Sequence, residues 1–148
     1  MAEFNVLELR IGRAAPLGST GALSAIDKRK IDGPLAASQL GLDGDEQADR
    51  RHHGGPHKAI HAYSISHFAT WAGELPDRAD RFRPGAFGEN LVISGACEAD
   101  LCLGDRWRIG SALVEVSQGR QPCWKLNMRF DVADMAWRVQ ESGRTGWY

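Results

Sequence analysis

Asp105-Arg106-Trp107-Arg108-Ile109-Gly110-Ser111-Ala112-Leu113-Val114-Glu115-Val116-Ser117 reads as two strands, 105–109 and 112–117, turned back on each other through Gly110-Ser111. A glycine-containing two-residue link between short apolar runs is the sequence signature of a tight β-hairpin. Working upstream, residues 87–93 read as another strand, 58–63 as a further one, and 4–11 as the first, ending at Gly12. Residues 23–26 are expected to return as a second strand after the loop-like stretch 16–21. Seventeen glycines without a repeat period fit many tight turns between short strands, so the composition leans towards β.

Helices are expected in three places. Residues 64–71 carry Ile65, Phe68, Ala69 and Trp71 at mixed helical spacing behind a serine that could cap the first turn. Pro122 favours a helix start and predicts one running towards Phe130, with Cys123 in its first turn. Asp131 is expected to cap a third helix through Gln140, with Val132, Met135, Ala136 and Val139 on one face and Gly143 beyond its end. Gly33-Pro34 and Gly41-Leu42-Asp43-Gly44-Asp45 are turn chemistry, and Asp27-Lys28-Arg29-Lys30 reads as a solvated turn. The sequence resumes after Gly143 as Thr145-Gly146-Trp147-Tyr148; two large aromatics in a tail predict either a paired last strand or a truncated chain.

A chain of 148 residues is the usual size of one domain, and 43% hydrophobic with 25% charged residues is an ordinary globular balance. A formal net charge of -1 offers no broad attraction for a nucleic-acid duplex, and no stretch predicts a membrane span. The N-terminus has acids where a signal peptide carries bases, which reads as a cytoplasmic start. Cys97, Cys102 and Cys123 cannot all pair, and their spacing matches no zinc framework, so free thiols in a reducing compartment are expected.

Cys123 is the residue with chemistry around it. A helix start, Arg120 and Lys125 all favour thiolate over thiol; the alternative is a small buried hydrophobe, the commonest fate of a free cysteine. In His52-His53-Gly54-Gly55-Pro56-His57-Lys58, backbone amides at the glycines could approach an oxyanion while a histidine or lysine supplies charge. A zinc site or a plain surface turn are the other readings of that loop. Gly85-Ala86-Phe87-Gly88-Glu89-Asn90-Leu91 puts a carboxylate and an amide after two glycines, where they line a pocket or cap a turn.

Taken in order, five segments resemble the MOSC domain, a module that handles molybdenum-cofactor sulfur around one cysteine. They are Gly41-Leu42-Asp43-Gly44-Asp45, His53-Gly54-Gly55 with Lys58-Ala59, Gly85 to Leu91, Gly104-Asp105, and Arg120-Gln121-Pro122-Cys123, and they look closest to the bacterial YiiM-like branch. The resemblance implies a mostly β fold, a closed β-barrel similar to the barrel domain of pyruvate kinase, with a few short helices. It implies one MOSC domain over 1–148, stopping short of a helical C-terminal segment usual in that branch. Cys123 becomes the molybdenum ligand, or alternatively the carrier of a persulfide sulfur or of the cofactor. A thiolate suits both, as nucleophile and as soft metal ligand. Carried onto this sequence, Arg120, Lys58 and the loop of His53, Gly54 and Gly55 would hold the pterin phosphate or anionic oxo groups of the molybdenum cofactor, and Glu89 and Asn90 would line the pocket. The implied activity is reductive detoxification of small N-hydroxylated compounds, with electrons from a separate reductase partner.

Overall fold

Glycine-punctuated segments produce short strands separated by irregular chain. In a computed structural model, residues 3–48, 51 and 54–148 are described. Ten strands occur in chain order: β1 (Asn5–Ile11), β2 (Ala15–Pro16), β3 (Leu23–Ser24), β4 (Arg29–Ile31), β5 (Ala37–Ser38), β6 (Gly41–Leu42), β7 (Ala62–Ser64), β8 (Leu91–Ser94), β9 (Arg106–Ile109) and β10 (Ala112–Glu115). Three α-helices accompany them, α1 (Ser66–Glu74), α2 (Lys125–Phe130) and α3 (Met135–Ser142), with 3-10 turns at Pro56–Lys58, Pro76–Arg81 and Glu98–Asp100.

The expected closed barrel is not what forms. The fold is mixed α/β: one four-stranded sheet in the order β4-β1-β8-β7 and three separate two-stranded pairs, with only about a quarter of the residues in strands. A barrel closes only when every edge strand finds a neighbour. Here the β9–β10 hairpin pairs within itself and is not laddered to the four-stranded sheet. Between the two lies a largely apolar cavity of about 590 Å³, walled by Ile93 and Leu91 on one side and Trp107 and Val114 on the other. The tail connects the β7 edge with the chain leaving the hairpin: Trp147 bridges Ala62 and Gly119, and Tyr148 exchanges backbone hydrogen bonds with Ser117 and Gln118.

β8 is the central strand, antiparallel to β1 and parallel to β7, and Val92 and Ile93 are buried on its two faces. One face packs on an aromatic core. Tyr63 stacks on Phe87 at 4.3 Å between ring centroids, Phe82 on Phe130 at 4.8 Å, and Trp71 Nε1 donates to Tyr63 Oη at 2.9 Å. Burying these rings against α1, α2 and α3 removes large apolar areas from water and satisfies the one indole donor. The other face packs Ile93, Leu91 and Val116 with Trp147, Phe4 and Trp107.

Several local expectations are corrected by tertiary pairing. Asp27 to Lys30 is not a solvated turn: Arg29 and Lys30 enter β4 against β1, and Lys28 is buried. The strand expected over 58–63 begins only at Ala62, because Pro56–Lys58 is a 3-10 turn, and the one expected over 23–26 is confined to Leu23–Ser24. No serine caps α1; its N-cap is Ile65, and Ser64 and Ser66 pair through their hydroxyls. Asp131 ends α2 in a left-handed conformation, φ 53°, instead of starting α3, whose N-cap is Asp134. The hairpin and Gly143 behave as expected, the glycine ending α3 at φ 72°.

Candidate functional site: a cysteine cleft backed by an unpaired arginine

Five stretches of chain meet in one cleft: the turn between β3 and β4, the segment after β6, the loop from Gly54 to His61, the loop before β8, and residues 120–125, with Tyr148 at its side. Cys123 stands at its edge, partly exposed, and its carbonyl accepts from Leu126 N at 3.1 Å as the chain turns into α2. Arg120 lies three residues earlier. Its backbone N–H donates to Gly146 O at 3.0 Å, which fixes the residue, and its side chain is buried. Nε and Nη1 of that guanidinium have no hydrogen-bond partner among the described residues. A buried cation with open donors is unfavourable unless an anion completes it.

The back of the cleft is a polar network. Lys28 Nζ lies 2.7 Å from Asp45 Oδ1 and 3.2 Å from Glu46 O; Asp45 Oδ1 also accepts from Gly12 N at 2.9 Å. Asn90 Nδ2 donates to Asp45 Oδ2 at 2.9 Å and to Arg10 O at 3.0 Å, while its Oδ1 accepts from His61 N at 3.0 Å. Asn90 is therefore held rigidly by three other segments. The negative charge of Asp45 is consumed by Lys28 and the two amide donors, which leaves Arg120 to set the local sign.

His61 is fully inside, and burial first, then the positive charge of Arg120, pushes its pKa down to about 3. The imidazole is neutral at physiological pH, and its Nε2 has no hydrogen-bond partner among the described residues.

Of the residues singled out from the sequence, the cleft brings together Cys123, Arg120, Lys58, Asn90 and Gly54. Gly55 is the N-cap of the 3-10 turn carrying Lys58, at φ 82°, and is not in the cleft wall. His53 lies outside the described residues. Glu89 faces away from the cleft: its carboxylate accepts from Gly85 N and from Phe87 N, the latter at 3.0 Å. Burial pushes its pKa up to about 7 against those amide donors. It shapes the loop that presents Phe87 and Gly88 to the cleft. Lys28, His61 and Tyr148 were not legible as site residues. Lys28 sits in a charge run that looks solvated, and His61 and Tyr148 carry no local motif. Asp45 belonged to a turn motif whose long-range partners no spacing reveals.

The donors assembled here suit an anionic group. Arg120 offers two open N–H groups, a neutral histidine and a lysine stand nearby, and the enclosed part of the cleft, about 80 Å³, has room for a group of phosphate or oxo-anion size. Among the described residues no cluster of three or more His, Cys, Asp or Glu could hold a metal by itself, so any metal here would arrive with ligands of its own.

The chain belongs to the MOSC domain family, whose profile matches residues 49–148. Within that family it sits with the YiiM-like members. It is 47% identical over 127 residues to protein YiiM of Escherichia coli strain K12, covering 86% of this chain and 57% of that protein. It is 40% identical over 144 residues to a protein named reductase from Gibberella moniliformis, covering 96% of this chain and 26% of the other. The crystal structure of YiiM from Geobacillus stearothermophilus superposes with a TM-score of 0.75 at 33% identity, over 99% of this chain and 66% of that one. The chain thus spans a little over half of the E. coli protein and about a quarter of the fungal one.

Proposed function

We propose that the cleft binds the molybdenum cofactor, with Cys123 as a ligand of the metal, and that the protein reduces small N-hydroxylated compounds using electrons from a reductase partner. The observation that carries this reading is the buried, unpartnered guanidinium of Arg120 in the same cleft as a partly exposed cysteine. A molybdopterin brings a phosphate and a metal-oxo centre, which are the groups that an open arginine and a thiolate respectively complete. Arg120 and Lys58 would hold the anionic part beside the backbone of Gly54, and His53 and Gly55 are proposed to complete that loop's part in binding. Asn90 would orient the bound group from the network behind it, and Glu89 would keep the loop before β8 in shape. Bound molybdenum would supply the two-electron chemistry that N–O bond reduction requires.

Family membership and the likeness to a longer protein named reductase support an oxidoreductase role for this domain. The free thiols support a cytoplasmic setting; no helix among the described residues is long and apolar enough to cross a membrane.

The test is molybdenum content by elemental mass spectrometry on wild type and Cys123→Ala from cells that make the cofactor. Near-stoichiometric metal lost in the variant is expected, followed by turnover of an N-hydroxylated purine with a chemical reductant. Metal absent from both, together with a persulfide on Cys123, would instead assign a sulfur-carrier role.

A further inference from the structure

We infer that the hydroxyl of Tyr148 is a ligand-binding donor of the Cys123 cleft, acting beside Arg120 on an oxygen atom of the group held there. The inference rests on the reading that the cleft takes an oxyanionic group, and adds a residue and a donor count to it.

Tyr148 lines the same cleft as Cys123 and Arg120. Its backbone is pinned on both sides: its N–H donates to Gln118 O at 2.8 Å, and its carbonyl accepts from Ser117 N at 2.9 Å. The preceding residue, Trp147, exchanges hydrogen bonds with Ala62 at 2.8 and 3.1 Å. The ring then rests against His61, 5.3 Å between centroids. Backbone and ring are thus fixed, yet the hydroxyl has no hydrogen-bond partner among the described residues.

The other tyrosine shows what a satisfied phenol looks like in this fold. Tyr63 Oη donates to Arg144 O at 3.0 Å and accepts from Trp71 Nε1 at 2.9 Å. A phenol placed in a mostly buried position normally finds such partners. Tyr148 is partly exposed, and its hydroxyl has no such partner among the described residues; it is open to solvent in the cleft where two N–H groups of Arg120 also lack acceptors. Burial raises the Tyr148 pKa, with the charge of Arg120 opposing the rise. The phenol therefore stays protonated and serves as a donor, not a base. Three open donors on residues lining one cleft favour an acceptor-rich ligand. An apolar group would leave all three unsatisfied. A tetrahedral oxyanion or a metal-oxo group has enough oxygen atoms to meet them.

The experiment uses inorganic molybdate as probe, with sulfate as comparison, and isothermal titration on the metal-free 148-residue chain, as wild type and as Tyr148→Phe. Tyr148→Phe keeps the ring against His61 and removes only the hydroxyl. Loss of one neutral hydrogen bond predicts affinity about 5-fold weaker, with an unchanged thermal midpoint and an unchanged rate of Cys123 alkylation by neutral iodoacetamide. Equal affinity in the two proteins overturns the inference, and so does absence of oxyanion binding by the wild type at millimolar concentrations. Molybdenum content in cofactor-producing cells is a separate readout. Tyrosine-dependent oxyanion binding without cofactor in the cell would leave this inference standing and remove the cofactor reading.

Discussion

The ammonium of Lys28 and the carboxylate of Asp45 meet at 2.7 Å with side chains only 6% and 2% exposed, tying the start of β4 to the segment after β6. Two buried charges hold each other only as a pair. Asp45→Ala leaves Lys28 uncompensated and strips acceptors from Asn90 and Gly12; the expected loss is about 3–5 kcal/mol in urea denaturation. Lys28→Met combined with Asp45→Leu removes both charges and is expected to recover most of that loss. A double variant no more stable than Asp45→Ala would show that the hydrogen bonds to Asn90 and Gly12, not the stranded charge, dominate.

Two buried groups, His61 and Glu89, titrate in opposite senses. His61 has a folded pKa depressed to about 3 from 6.5, so its contribution is full above 6.5 and is lost as pH falls towards 3. Glu89 has a folded pKa raised to about 7 from 4.5, so its contribution is present below 4.5 and is lost as pH rises through 7. Between pH 7 and 5 the two slopes oppose, at up to about 1.4 kcal/mol per pH unit each. The wild type is expected to show a shallow dependence there and a steep fall below about pH 4.5. His61→Gln should become relatively more stable than wild type on acidification from pH 7 to 5, by about 2 kcal/mol. Urea midpoints taken at each pH read the difference, and parallel curves would mean that His61 takes up its proton in the folded state.

Gly146 makes a close approach to the residues behind the cleft. At φ 75° an added Cβ would stand 2.3 Å from His61 Nε2 and 2.7 Å from Ala62 O. Both the conformation and the space exclude a side chain. Gly146→Ala is expected to cost more than about 2 kcal/mol and to release the bond from Arg120 N to Gly146 O. Calorimetry reads the stability, and exchange protection of the Arg120 amide reads the local effect. A variant with wild-type midpoint and protection would show that the Trp147 segment shifts without penalty.

How far the sequence reached is clearest residue by residue. The hairpin through Gly110-Ser111, the helix breaks at Gly143 and after Phe130, and the prominence of Cys123 were legible because each depends on neighbours within a few residues. The ordered motifs also identified the family, since their residue types and spacing survive without coordinates. Sheet closure was not legible. Whether short strands link into a barrel depends on which edges meet, and here the hairpin stays apart from the sheet across an apolar cavity. The site was legible in part for the same reason. Cys123, Arg120, Lys58 and Asn90 announce themselves by local chemistry. The burial of Lys28 against Asp45, the neutral imidazole of His61 and the packing of Tyr148 on His61 arise from contacts between segments up to nearly 90 residues apart. Local pattern determined which residues have the chemistry; desolvation and long-range packing, which only the tertiary structure supplies, decided which of them face the cleft and in what charge state.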